Sequence, residues 1–160
     1  VNLFSGTIRE NLLLADPNAN DEKLKEALSE AGLGSFLKML PKGLDSDVGN
    51  AGAALSGGQR QKMGIARALL SEAQYMIFDE ATSSVDPQSE REIWETIGRL
   101  SKTRTLIIIS HRMSTIQNAN CIYVLEKGVV AQRGSHAELM QQGGLYRELV
   151  TRQQAMEVAE

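Results

Sequence analysis

Ser56, Gly57, Gly58 and Gln59, following Leu55, put a small hydroxyl residue and two glycines at the mouth of a predicted helix. The chemistry this pattern permits is anion binding. The first amides of a helix have no intrahelical acceptor. Glycine lacks the Cβ that would hold a ligand away from them, and the helix dipole places partial positive charge at that end. Arg60 and Lys62 are expected to raise the local potential further. The pentapeptide by itself also reads as an ordinary serine cap with a flexible glycine entry.

A second constellation is the apolar run Tyr75-Met76-Ile77-Phe78 ending in Asp79-Glu80. Open α/β sheets bind ligands at the carboxyl ends of their strands, and successive side chains of a strand diverge, so the two acids can serve different purposes. Asp79 suits a magnesium ion held through water, because magnesium prefers oxygen and keeps much of its hydration. Glu80 suits the orientation or deprotonation of a water. A solvated pair opening a turn is the plainer alternative. His111 directly follows the aliphatic run 106–109 and Ser110, where an imidazole can donate to a phosphate oxygen. A lone histidine is equally at home as a surface or satisfied core residue. His136, just after Ser135, is read as structural. Ser83, Ser84, Val85 and Asp86 follow the acidic pair, with Asp86 placed to cap a helix.

One expected partner is missing. A phosphate-binding loop of the Gly-Lys-Ser/Thr type needs a Gly-Lys pair, and none of the 14 glycines precedes a lysine. Gly52 and Gly57 have the right separation, but Gly58 stands where the lysine belongs.

These groups need elements to hold them. Asn20 or Asp21 should cap a helix with Leu24, Ala27, Leu28 and Ala31 on one face, ended by Gly32. A short helix over 35–40 should stop before Pro41. Residues 42–54 read as a loop. The helix from Ser56 runs to about Leu70, with Met63, Ala66, Leu69 and Leu70 inward. Residues 75–78 and 105–110 read as buried parallel strands, separated by a helix that Asp86-Pro87 opens and Ile93, Ile97 and Leu100 continue. Residues 121–125 and 129–133 form a hairpin. Ser135 caps a helical tail broken at Gly143-Gly144. Strands alternating with helices indicate an α/β sheet with crossover connections.

Composition sets the outer limits. The 160 residues carry 17 Lys and Arg against 20 Asp and Glu, a net charge of −3, which argues against a general nucleic-acid binder. With 42% hydrophobic and 23% charged residues, the composition argues against disorder. The single cysteine, Cys121, allows no internal disulfide framework and fits a reducing compartment. The longest aliphatic run, 106–109, is far too short to cross a bilayer. Val1 rather than Met opens the chain, with the expectation that the true beginning lies elsewhere.

Taken jointly, the order and spacing of these motifs resemble the ATP-binding cassette (ABC) ATPases over essentially the whole chain. Leu55-Ser56-Gly57-Gly58-Gln59 resembles the family signature and residues 75–79 the Walker B strand. Glu80 resembles the catalytic glutamate, Ser83, Ser84 and Asp86 the D-loop, and His111 the switch histidine. Residues 3–11 and 133–139 resemble exporter-type cassettes. Residues 47–52 resemble the exporter X-loop, with Ser46-Asp47 where Thr-Glu is usual.

The resemblance implies an α/β fold, the C-terminal part of a P-loop NTPase-type ABC ATPase domain. Residues 1–70 would hold the segment after the Q-loop and the helical subdomain with the signature. Residues 71–160 would hold the later half of the ATPase core and the C-terminal tail. The adenine-stacking loop, Walker A and the Q-loop glutamine would precede Val1. It implies ATP and Mg2+ as ligands. Ser56, Gly57, Gly58 and Gln59 would touch ATP held by a second nucleotide-binding domain, in a homo- or heterodimer. Asp79 would hold Mg2+ through water, and Glu80 and His111 would be catalytic. A membrane-spanning domain would be moved through its coupling helices, with the chain on the cytoplasmic face of a membrane and no nucleic acid involved. The function implied is ATP hydrolysis driving export. The rival readings are a non-catalytic binding module, since Walker A is missing, and a soluble ABC ATPase of DNA maintenance or translation. A chain without its neighbouring strands is expected to expose apolar edges and to associate through them.

Overall fold

Thr7 and Glu10 open the first helix, α1 (Ile8–Leu13), by a reciprocal capping box. The Thr7 hydroxyl accepts from the Glu10 amide at 3.1 Å, and the Glu10 carboxylate accepts from the Thr7 amide at 2.7 Å. The computed structural model describes residues 2–82 and 85–157. The chain divides into two units, Val1–Ile107 and Ile108–Glu160.

In the first unit, Asn20 caps α2 (Asp21–Glu30), its side chain accepting from the Lys23 amide at 2.9 Å. Leu24, Ala27, Leu28 and Ala31 are buried, the face the periodicity predicts. Gly32 adopts φ +80°, a left-handed conformation that turns the chain out of the helix. Helix α3 (Gly34–Met39) ends before Pro41. The predicted loop 42–54 contains two single 3-10 turns, Gly43–Asp45 and Asn50–Gly52. It also pairs with the start of the chain. The Ile8 amide donates to the Ser46 carbonyl at 3.0 Å and the Val48 amide to the Gly6 carbonyl at 2.8 Å, an antiparallel bridge centred on Thr7 and Asp47.

Helix α4 (Gly57–Leu70) buries Met63, Ala66, Leu69 and Leu70 as expected, and Ile65 besides. Strand β1 (Tyr75–Asp79), helix α5 (Pro87–Leu100) and strand β2 (Thr105–Ile109) follow, with β1 and β2 neighbours in one sheet. A helix thus lies between two neighbouring strands, in the alternating order that the sequence predicts. The expectation that these strands are buried is corrected. Met76 and Phe78 are covered, whereas Tyr75 is 70% and Ile77 68% exposed, and Ile107 on β2 is 48% exposed. Side chains of a strand alternate between two faces, and among the described residues only one face of this sheet is covered.

In the second unit, a short helix α6 (Met113–Ile116) precedes the hairpin of β3 (Ile122–Glu126) and β4 (Val129–Gly134). Glu126 faces Val129, so the turn is Lys127-Gly128, both at positive φ (49° and 81°), as a two-residue hairpin turn that matches strand twist requires. Ser135 caps α7 (His136–Gln142) with a second capping box to Glu138, Gly143 ends it, and α8 (Leu145–Glu157) closes the chain. Met113, Ile122, Val124, Leu139, Tyr146 and Val150 form the core of this unit. Gln132 ties hairpin to helices: its Nε2 donates to the Gly143 carbonyl and its Oε1 accepts from the Tyr146 amide, both at 2.8 Å. His136 Nδ1 meets the hydroxyl of buried Tyr146 at 2.8 Å, inside this packing.

Candidate functional site

Ser56 holds extended backbone angles while its side chain enters the helix it starts. Its Oγ accepts from the Gln59 amide at 3.2 Å, and the Gln59 Oε1 accepts from the Ser56 amide at 2.9 Å. This capping box uses the amides at both of its ends and leaves those of Gly57 and Gly58 outside it. They belong to the first turn, whose N–H groups point out of the helix with no acceptor in it. Ser56 is exposed, so the end is open to solvent. Gln59, placed on the ligand surface by the sequence pattern, has its side chain engaged in the box.

Gly58 is buried, and its lack of a Cβ has a packing cause. A methyl there would lie 2.5 Å from Ser89 Cβ and 2.6 Å from Ser89 Oγ. The start of α4 therefore packs directly on the start of α5. At that second helix start the Asp86 carboxylate accepts from the amides of Gln88 at 3.1 Å and Ser89 at 2.9 Å. The Ser89 hydroxyl and backbone together hold the Asp86 carboxyl below its ordinary range. Ser83 and Ser84, the other proposed D-loop residues, lie outside the described residues.

Asp79 ends β1 with an exposed side chain, and exposed Glu80 follows at φ +44°, a left-handed conformation unusual outside glycine. Such backbone is held by its surroundings, and here the next two residues, Ala81 and Thr82, are buried. The Thr82 hydroxyl donates to Glu90 Oε1 at 3.3 Å, and Trp94 Nε1 donates to the same oxygen at 3.4 Å. Glu90, from the first turn of α5, thus fixes the turn that carries Glu80. Neither Thr82 nor Glu90 stands out in the sequence; their separation of eight residues across a turn gives no periodic signal. His111 belongs to the second unit, exposed after β2 and beside Arg112, whose amide donates to Ser110 Oγ at 3.1 Å.

The expectation for Lys62 is corrected. Arg60 turns back on the loop before its own helix, donating to the Leu55 carbonyl at 2.6 Å and the Gly52 carbonyl at 3.5 Å. Lys62 is buried with Glu92 against it at 2.5 Å, and that contact holds the Glu92 carboxyl below its ordinary range. Lys62 is paired inside the protein, whereas Arg60, held by neutral carbonyls just before Ser56, keeps its charge near that end beside the amides and helix dipole.

The donor chemistry at the end of β1 suits magnesium in a limited way. Asp79 offers a hard, exposed carboxylate of the kind magnesium takes directly or through water. Among the described residues no group of three His, Cys, Asp or Glu could hold a metal ion. Also among the described residues, no helix is long and apolar enough to cross a membrane.

The sequence pattern of the ABC transporter family matches residues 1–83. P-glycoprotein 14 of Caenorhabditis elegans is 46% identical over 151 residues, which cover 94% of this chain and 11% of that protein. The ATP-dependent lipid A-core flippase of Chromobacterium violaceum is 46% identical over 149 residues, 93% of this chain and 26% of its own length. The human mitochondrial potassium channel ATP-binding subunit is 44% identical over 94% of this chain and 20% of its own. Among solved structures, a bacterial Atm1-family ABC exporter with ATP bound aligns with a TM-score of 0.85 and 38% identity, over 95% of this chain and 27% of that one. The chain therefore spans between 11% and 26% of the length of the curated relatives named here.

Proposed function

The chain belongs to the ABC transporter family and has the α/β fold of its ATPase domain, and we propose that it is the later part of a nucleotide-binding domain whose ATP hydrolysis drives export across a membrane. The observation that carries this reading is the open, box-capped start of α4, where the amides of Gly57 and Gly58 project unpaired by the cap. An end of this kind favours a multiply charged terminal phosphate.

In this account Ser56, Gly57 and Gly58 contact ATP held by a second nucleotide-binding domain, with Gln59 acting one step removed by fixing the box. Asp79 holds Mg2+ through water, and the ion supplies charge neutralisation on the phosphates when bound. Glu80 orients the attacking water, the Thr82–Glu90 contact keeping its turn in place. His111 donates to a phosphate oxygen. Asp86 lines the boundary with the second domain. The lysine of a phosphate loop is supplied by sequence outside these 160 residues, since no Gly-Lys pair occurs in them. Catalysis of this type rests on positioning and electrostatic stabilisation.

A shallow groove lined by Phe4, Leu14, Ala15, Gly64 and Ala68, with Arg67 at its edge, is the surface proposed for the coupling helices of a membrane-spanning domain. Phe4 is 59% and Leu14 56% exposed there. The test is Glu80→Gln in the intact protein: turnover is lost and ATP stays trapped in a closed dimer. Unchanged turnover rejects the role given to Glu80. Tight Mg2+-dependent ATP binding by the 160-residue chain alone rejects the assignment of phosphate holding to a missing loop.

A further inference from the structure

Lys62 carries a charge into the interior that the proposed reaction does not use. Its side chain is 8% exposed. Its Nζ meets Glu92 Oε2 at 2.5 Å and the Gly32 carbonyl at 3.4 Å, so one ammonium joins α4 to α5 and to the turn that ends α2. Nearer the helix starts, Gly58 packs on Ser89. The two contacts pair 58 with 89 and 62 with 92, numbers that rise together. Helices α4 and α5 therefore run in the same sense over these turns, spanning about 4.5–6 Å between the contacts. The Ser56 cap and the Asp86 cap lie at the same end.

We propose that Lys62 is a positioning residue whose ion pair with Glu92, together with the Gly58–Ser89 contact, locks α4 to α5. The Ser56–Gly58 amides and Asp86 are then presented to the second domain as one rigid element. Two contacts a helical turn apart fix both the separation and the relative rotation of a helix pair, which either alone leaves free. An ammonium with three donors holds both partners from a fixed point, and removing Glu92 leaves a charge with little solvent around it. This proposal rests on the reading of the Ser56 end as the ATP-contacting surface.

The test uses the intact protein with Lys62→Met, Glu92→Gln, the double variant and the charge-retaining Lys62→Arg. Three properties are read: kcat and KM for ATP, the melting temperature, and hydrogen exchange of amides 57–63. Lys62→Met and Glu92→Gln are expected to lower kcat about tenfold with KM changed less than about twofold, and the double variant to be no worse than the poorer single. Lys62→Arg is expected to keep kcat within about threefold, and exchange at 57–63 to rise about tenfold in Lys62→Met. Losses that multiply in the double variant, a kcat that follows the melting temperature alone, or unchanged exchange overturns the lock. If the intact parent protein hydrolyses no ATP, the functional reading fails, while the exchange measurement still decides whether Lys62 fixes α4.

Discussion

Gly58→Ala sets two known effects against each other at one buried position. In an open helix, alanine in place of glycine stabilises by about 1 kcal/mol. Here the new methyl would sit 2.5 Å from Ser89 Cβ and 2.6 Å from its Oγ, far inside the ~3.5–4.0 Å of a good carbon contact. Forcing a packed interface to open for a methyl costs about 1–3 kcal/mol. The net expectation is a loss of about 0–2 kcal/mol, or up to about 8 °C for a domain of this size class. The second site sharpens the argument. Ser89→Gly removes both opposing atoms, whereas Ser89→Ala leaves the Cβ at 2.5 Å. Both lose the hydroxyl that hydrogen-bonds Asp86. Thermal unfolding of the intact protein should show recovery in Gly58→Ala/Ser89→Gly, measured against Ser89→Gly alone, and none in Gly58→Ala/Ser89→Ala. A Gly58→Ala protein more stable than its parent, or equal rescue by the two Ser89 variants, would refute the packing argument.

Three further outcomes are expected. Ser56→Ala and Ser135→Ala each break a capping box and should cost about 1 kcal/mol in melting experiments; only Ser56→Ala should also depress ATP turnover beyond its stability loss, and equal effects on turnover would reduce Ser56 to a cap. Glu92 is held below the ordinary carboxylate range by Lys62 and Asp86 by Ser89, so both stabilise the fold above about pH 4 and lose that contribution as pH falls through their lowered values; acid melting curves should show the Glu92 part vanish in Lys62→Met, and identical curves would contradict the pairing. The open face of β1 predicts self-association of the 160-residue chain by sedimentation, reduced by Tyr75→Thr and Ile77→Thr, which keep strand propensity while removing apolar surface; a monomeric parent chain would contradict it.

The elements that position the site are legible where one local signal dominates. Ser56, Asp86 and Ser135 are caps because a short side-chain oxygen stands just ahead of an apolar-periodic stretch, and all three accept from the helix amides they precede. Lys127-Gly128 turns as a two-residue loop between alternating strands must. Helix α1 escapes a reading by periodicity although Thr7 and Glu10 have capping-box spacing, because Gly6 and the mixed apolar pattern mask a six-residue element. Long-range features leave no such trace. The pairing of residues 6–8 with 46–48 joins two segments that the sequence presents separately. The half-open sheet follows from what packs on it and not from its composition, since Tyr75 and Phe78 are both aromatic but lie on opposite faces. Arg60 and Lys62 look like free cations in the sequence for the same reason: a cation's partners, here backbone carbonyls and Glu92, sit five to thirty residues away.

The central claim is that the amides opening α4 grip a terminal phosphate presented by another subunit. A structure of the intact protein carrying Glu80→Gln, trapped with Mg2+-ATP, measures it directly. The account predicts the Gly57 or Gly58 nitrogen, and Ser56 Oγ, at hydrogen-bond distance, about 2.7–3.2 Å, from a γ-phosphate oxygen of ATP bound to the facing domain. A closed, ATP-loaded pair in which that phosphate is met by other residues, with the start of α4 turned to solvent, would contradict it.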